Sequence, residues 1–255
     1  MKLSLFLTIS LPFLCAAGAE AQSSKAQPAP LSGGSARRFR ILVNGGFNTA
    51  SRSFGTVTSF VQFLEEGSSS RNYDGSSGFV FELGAIYSLT PAIGVLGSFE
   101  LFSGDNDAVF EKTVPHPLLF NHDRSVRGDL AGMSYDERAL HVDVVYTVER
   151  PLFTIDFFGG PTFFFTDTEL ITDIGTRSVY PFDDIELGTT SSGKFTENPV
   201  GFNAGAALTY RLTPVFGVSF QGRFSRATVN LEQGGESLDF DAGGFRIGAG
   251  IRLAF

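Results

Sequence analysis

His141 and Asp143 stand two residues apart in Leu140-His-Val-Asp-Val-Val-Tyr146, where apolar and polar residues alternate. In a strand that spacing puts both on one face, and there a carboxylate can orient an imidazole for proton transfer. The same parity carries more ionisable residues. Glu82, Glu100 and Asp156 alternate with apolar neighbours in three other stretches, and Arg40, Arg211, Arg223, Arg246 and Arg252 do so in four more. Acids occupy the middle stretches, and arginines the first and the last ones. If the stretches close into a ring, the two arcs face each other across the interior. Opposed carboxylates and guanidiniums then form a buried ion-pair network. The competing use of the same residues is a narrow polar path. Eight strands leave an interior filled by side chains, and pairing removes mobile charge, so a filled, salt-bridged lumen is expected.

An enzyme is the third reading. A histidine–carboxylate pair alone specifies no reaction. No outward serine stands beside an outward histidine, as a lipid-modifying enzyme would need. His116 and His122 lie in a long polar connection with no fixed spacing to a nucleophile. Asp105-Asn106-Asp107 and Asp183-Asp184-Ile185-Glu186 offer hard oxygen ligands, but neither has a complete calcium-loop spacing. No catalytic residue, cofactor or metal ligand is assigned.

The elements that position these residues are strands. Alternating stretches of roughly ten residues, the length a tilted membrane strand needs, cover 39–47, 79–89, 93–101, 140–146, 153–165, 200–212, 216–224 and 245–255. Gly159-Gly160-Pro161 interrupts the fifth, and a bulge is expected there because proline cannot donate to a ladder. Short connections at 89–92, 148–151 and 212–215 alternate with long ones at 49–77, 104–137, 167–198 and 230–242, which are read as loops. Their net charges are −1, −4, −5 and −4. Phe60, Val61 and Phe63 stand in the first, where they extend a strand or meet a partner. Tyr87, Tyr146 and Tyr210 each precede a short connection on the apolar parity, the place of a periplasmic aromatic girdle.

No later segment offers about 18 uninterrupted apolar residues, so a membrane-spanning form must be a closed barrel with every backbone group paired. The chain of 255 residues has 28 Phe, 30 Gly, no Trp and a net charge of −8, which speaks against disorder and against a nucleic-acid partner. Residues 1–21 read as a signal peptide: Lys2, a short apolar run, and Ala19-Glu20-Ala21 before the cut. Cys15, the only cysteine, falls inside it, and Pro12-Phe13-Leu14 before it do not suit a lipoprotein. Residues 22–36 read as a flexible periplasmic lead-in, and 37–255 as the barrel.

The last segment runs Phe245-Arg-Ile-Gly-Ala-Gly-Ile-Arg-Leu-Ala-Phe255, with Phe245, Ile247, Ile251, Leu253 and Phe255 on one face. It resembles the terminal sorting signal of bacterial outer-membrane proteins. With the hairpins Tyr87-Ser-Leu-Thr-Pro91 and Tyr210-Arg-Leu-Thr-Pro214, the chain resembles the eight-stranded outer-membrane β-barrel domain family, the OmpA/OmpX/OmpW-like barrels. That resemblance implies an all-β, closed antiparallel transmembrane barrel with short periplasmic turns and long extracellular loops. It also implies the outer membrane of a Gram-negative-type bacterium, with cleavage near Ala21. The implied partners are outer-membrane lipid and lipopolysaccharide, the barrel-insertion machinery during assembly, and an extracellular ligand met through the loops. A peptidoglycan-binding domain after the barrel is not expected. The resemblance implies no activity. A structural or surface-interaction role is expected first, and a narrow conduit for small or apolar solutes second.

Overall fold

Alternation of apolar and polar residues, rich in Phe, Val, Ile and Tyr, builds strands over nearly all of the chain described by the computed structural model, residues 38–49, 52–233 and 236–255. The signal-peptide and lead-in expectations fall outside the described residues. The strands are β1 (Phe39–Asn48), β2 (Arg52–Gln62), β3 (Glu65–Gly75), β4 (Phe79–Ser88), β5 (Ile93–Pro115), β6 (Asp123–Glu149), β7 (Phe153–Val179), β8 (Asp184–Glu197), β9 (Val200–Arg211), β10 (Phe216–Gln233) and β11 (Glu236–Ala254).

Eight of them close a ring in the order β1-β4-β5-β6-β7-β9-β10-β11, every pair antiparallel. The seam sets Arg40 opposite Ala254 and Asn48 opposite Arg246. Phe255 donates its N–H to the Phe39 carbonyl at 2.8 Å, which ties the end of the chain to the start of the ring. Closure leaves no edge within the ring, so every strand backbone group can pair, as lipid demands. The short turns repeat one device. Thr90 Oγ1 accepts the Ile93 N–H at 2.9 Å, and Thr213 Oγ1 accepts the Phe216 N–H at 3.0 Å. The recurring Leu-Thr-Pro is therefore a turn signal in which the threonine hydroxyl takes a backbone donor.

The outer face carries a belt of exposed apolar side chains, among them Leu83, Val95, Val142, Leu208, Val218 and Ile251. Exposed ion pairs, Arg138–Asp167 at 2.8 Å and Arg226–Asp241 at 2.7 Å, mark its upper limit. Above them the long connections are not loops. β5 has 23 residues and β6 and β7 have 27 each, against the roughly 9–11 that a tilted strand spends in hydrocarbon. The β2–β3 hairpin adds to β5, and β8 adds to β7.

The sequence hides these strands because the alternation changes sense at the belt's upper edge. On β5 the outward residues pass from Val95, Phe99 and Leu101 to Ser103, Asp105 and Asp107, while Phe102, Ala108 and Phe110 point inward and are buried. β6, β7, β10 and β11 repeat the change. Below the edge the surroundings are lipid; above it they are water, so the apolar face must turn to the inside. The result is an extracellular head with its own core of Tyr73, Phe110, Tyr135, Phe164, Leu170, Val229 and Phe240. Phe54 stacks on Tyr73 at 5.0 Å and on Phe240 at 4.7 Å, joining β2 to β11.

The expected bulge at Gly159-Gly160-Pro161 is absent. Register with β6 is the same on both sides, His141 opposite Thr162 and Val144 opposite Gly159, and pairing with β9 runs through Pro161 without a break. A Cβ on Gly160 would lie 2.1 Å from the Val142 carbonyl oxygen, so glycine lets the strands close while proline gives up a donor towards β6 only. Parity survives, and Phe163 and Phe165 face outward.

Candidate functional site

From the short-turn end upward, the inward residues of β6 run Thr147, Val145, Asp143, His141, Ala139, Glu137 and Tyr135, and four levels of the lumen are stacked along them. At the lowest level Asp156 accepts two bonds from Arg40 Nη1, at 2.9 and 3.0 Å, and one from the Thr147 hydroxyl at 2.7 Å. Arg252 stands 3.6 Å away on its other side. Above this lies an apolar level: Leu42, Ile86, Leu96, Val145, Phe158 and Ala207, buried together.

The third level is built on Arg223, 1% exposed. Its Nη2 donates to Glu82 at 2.7 Å and to Ser98 at 3.2 Å; its Nη1 donates to Asp143 at 3.2 Å and to Asn203 at 3.0 Å. The guanidinium lies 4.7 Å from the centre of the Phe158 ring, which belongs to the apolar level beneath. Glu82 also accepts from Gln221 at 2.6 Å and Asn44 at 2.9 Å. The fourth level joins Arg246 to both Glu100 and Glu137. Glu137 further accepts the Tyr135 hydroxyl at 2.8 Å and the Gly243 N–H at 3.1 Å, with Arg52 at 3.5 Å. Gly243 and Gly244 adopt φ of 94° and 130°, a left-handed stretch that brings this backbone donor inward. Arg52 lies 3.7 Å from the Tyr135 ring centre. Between the third and fourth levels is a space of about 20 Å³ lined by Asn44, Glu82, Glu100, Gln221, Arg223 and Arg246, room for about one water.

Of the residues expected to form the ion-pair network, Arg40, Glu82, Glu100, His141, Asp143, Asp156, Arg223, Arg246 and Arg252 all stand inside the ring. Arg211 does not join an acid: its guanidinium donates to the Arg150 carbonyl beside the short turn. That position is one step below the lowest acid, so the side chain meets backbone. His141 and Asp143 do not pair either. The imidazole Nδ1 is 2.8 Å from the Thr162 hydroxyl and Nε2 is 3.7 Å from Glu100, while Asp143 is taken by Arg223 and Asn203. Glu137, Arg52 and Tyr135 escape a reading of the sequence because 104–137 and 49–77 look like loops. The inward parity continuing from His141 through Ala139 to Glu137 is the signal for two of them.

Tyr87, Tyr146 and Tyr210 face outward beside the short turns, 48%, 54% and 52% exposed. Phe245, Ile247 and Ile251 line the outer face of β11, with Leu253 half-buried on the same parity and Phe255 exposed past its end. Asp105 and Asp107 point out while Asn106 is buried, so these three do not converge. Among the described residues no group of three or more His, Cys, Asp or Glu is placed to hold a metal ion. In the head, burial pushes the Tyr73 phenol above its ordinary range, and its oxygen accepts the Ile171 N–H at 3.1 Å.

A closed eight-strand ring with an apolar outside, tyrosines beside short turns and long strands at the opposite end is a transmembrane β-barrel of the outer-membrane type. No protein-family model matches the chain, and no curated protein matches it significantly. Solved structures similar to it are outer-membrane proteins. Neisserial surface protein A shares 9% identity over 85% of this chain and 97% of its own, with a TM-score of 0.43. OprG from Pseudomonas aeruginosa shares 11% over 86% and 97%, at 0.47. The outer membrane protease OmpT from Escherichia coli shares 10% over 87% and 98%, at 0.49.

Proposed function

We propose that this protein is a sealed outer-membrane anchor with a structural and surface-interaction role, holding a rigid β-structured head outside the cell. The apolar level between the Asp156 and Arg223 levels carries this reading. Six buried apolar side chains there fill the section between the two ion-paired levels. The polar link past them, the buried Arg252 reaching from Asp156 at 3.6 Å to Gln221 at 3.3 Å, is made of paired side chains rather than open space, and an ion crossing the apolar side chains would lose its hydration without gaining a partner. The proposal is of a non-enzymatic protein, because the hydroxyl beside His141, that of Thr162 at 2.8 Å, is buried with it inside the filled lumen, where no substrate reaches the pair. In this reading the three tyrosines form the periplasmic girdle, the belt meets outer-membrane lipid and lipopolysaccharide, and the Phe255 end is read by the insertion machinery.

Liposome swelling tests it. Vesicles carrying the refolded barrel are expected to shrink and stay shrunken in small sugars, as protein-free vesicles do. Re-swelling at a rate that scales inversely with solute size would replace the anchor with the conduit.

A further inference from the structure

Three hairpin turns at the far end of the head display apolar side chains where water favours polar ones. β2 turns into β3 through Phe63 and Leu64, at φ of 54° and 71°. Asn and Gly take that conformation most cheaply. Leu64 is nonetheless 89% exposed, so the conformation is not compensated by burial. The β5–β6 turn exposes Leu118, Leu119 and Phe120, the last at 72%, and the β7–β8 turn exposes Tyr180 at 84%.

Hydrogen bonds lock these turns to one another. Asn121 donates its N–H to Glu65 at 2.7 Å, joining the first two. The buried Arg124 donates to Ser178 at 3.2 Å and to the Phe182 carbonyl at 2.9 Å, joining the second and third. His116 Nδ1 accepts the N–H groups of Leu118 and Leu119 at 3.1 and 3.0 Å. The apolar tips are therefore a fixed crown, and a surface meeting it has little ordering cost to overcome. Around the tips stand the exposed carboxylates Glu66, Asp123, Asp183 and Asp184; Arg124 is turned inward, and the exposed Arg127 and Arg177 just below the turns are paired with Glu111 and Glu186.

We propose that the crown docks onto a zwitterionic lipid surface of the phosphocholine type. This rests on the reading of the head as a surface-interaction device and names its partner. The apolar tips enter the interface between headgroups and acyl chains, the carboxylates lie level with the quaternary ammonium groups, and Tyr180 and Phe120 offer ring faces to the same cations. Charge decides against the alternatives. An anionic bilayer repels the carboxylate ring, and a second copy of the chain would bring the same acids face to face.

The test uses the full barrel held in an amphipathic polymer and floated with vesicles of phosphatidylcholine or of phosphatidylglycerol. Wild type is expected to float with phosphatidylcholine and to bind phosphatidylglycerol less at low salt. The double variant Leu64→Asp, Phe120→Asp is expected to lose binding by about tenfold or more, the scale of removing one large apolar side chain from the contact. In Phe120→Trp, with no other Trp in the chain, fluorescence is expected to shift to the blue with phosphatidylcholine only. Equal flotation of the double variant, a preference for phosphatidylglycerol, or no flotation of wild type each overturns the proposal. The last would leave the crown to a protein partner without touching the sealed-anchor reading, which swelling tests separately.

Discussion

Arg223→Ala is expected to destabilise the folded barrel by about 3–5 kcal/mol, the cost of leaving buried charges without their partner. One guanidinium bridges Glu82 and Asp143, both almost wholly buried, and lies over Phe158. Its removal leaves two carboxylates facing each other in the lumen above an apolar level that gives them nothing. Urea unfolding in lipid vesicles reads the loss. Arg223→Met combined with Glu82→Gln and Asp143→Asn is expected to recover much of it, because replacing a whole buried ionic group differs from breaking one. Stabilities of Arg223→Ala and wild type agreeing within about 0.5 kcal/mol, the scatter of an ordinary surface change, would mean that these carboxylates are hydrated from an open lumen.

Phe110→Ala is expected to cost about 3–5 kcal/mol in the head, the usual range for a buried Phe. Phe110 is 2% exposed on β5, opposite Arg71 of β3, within the core that also holds Tyr73 and Leu170. The belt strands keep their own pairing below this point, so the loss is local. Hydrogen exchange should quicken in β2, β3 and β8 and stay slow in β4 and β9. Quickening throughout would show that head and belt unfold as one unit, and none at all would show that the head core is not packed as described.

The eight ring strands are legible in the sequence because lipid outside and polar residues inside force one sense of alternation over each, and the Leu-Thr-Pro turns mark where two of the hairpins reverse. The head is hidden by the same logic. Once strands leave the bilayer, Ser103, Asp105 and Asp107 take the outward places and Phe102, Ala108 and Phe110 the inward ones, so a search for runs of outward apolar residues finds only the isolated Val109 there and reads a loop. The parity of the ionisable residues is readable from sequence, but their partners are not. Arg246 reaches Glu100 and Glu137 across the interior through a strand stagger that no single strand encodes. Glu137 itself sits where belt gives way to head, and its parity is continuous with His141.

The central claim, that the lumen is closed by an apolar level between ion-paired levels, is met most directly by single-channel recording of the refolded full barrel in a planar bilayer. The account predicts a silent membrane at either polarity after insertion has been verified by heat-modifiable mobility of the same sample. Stable, stepwise openings in the wild type would contradict it and make the same arginines and carboxylates the lining of a path.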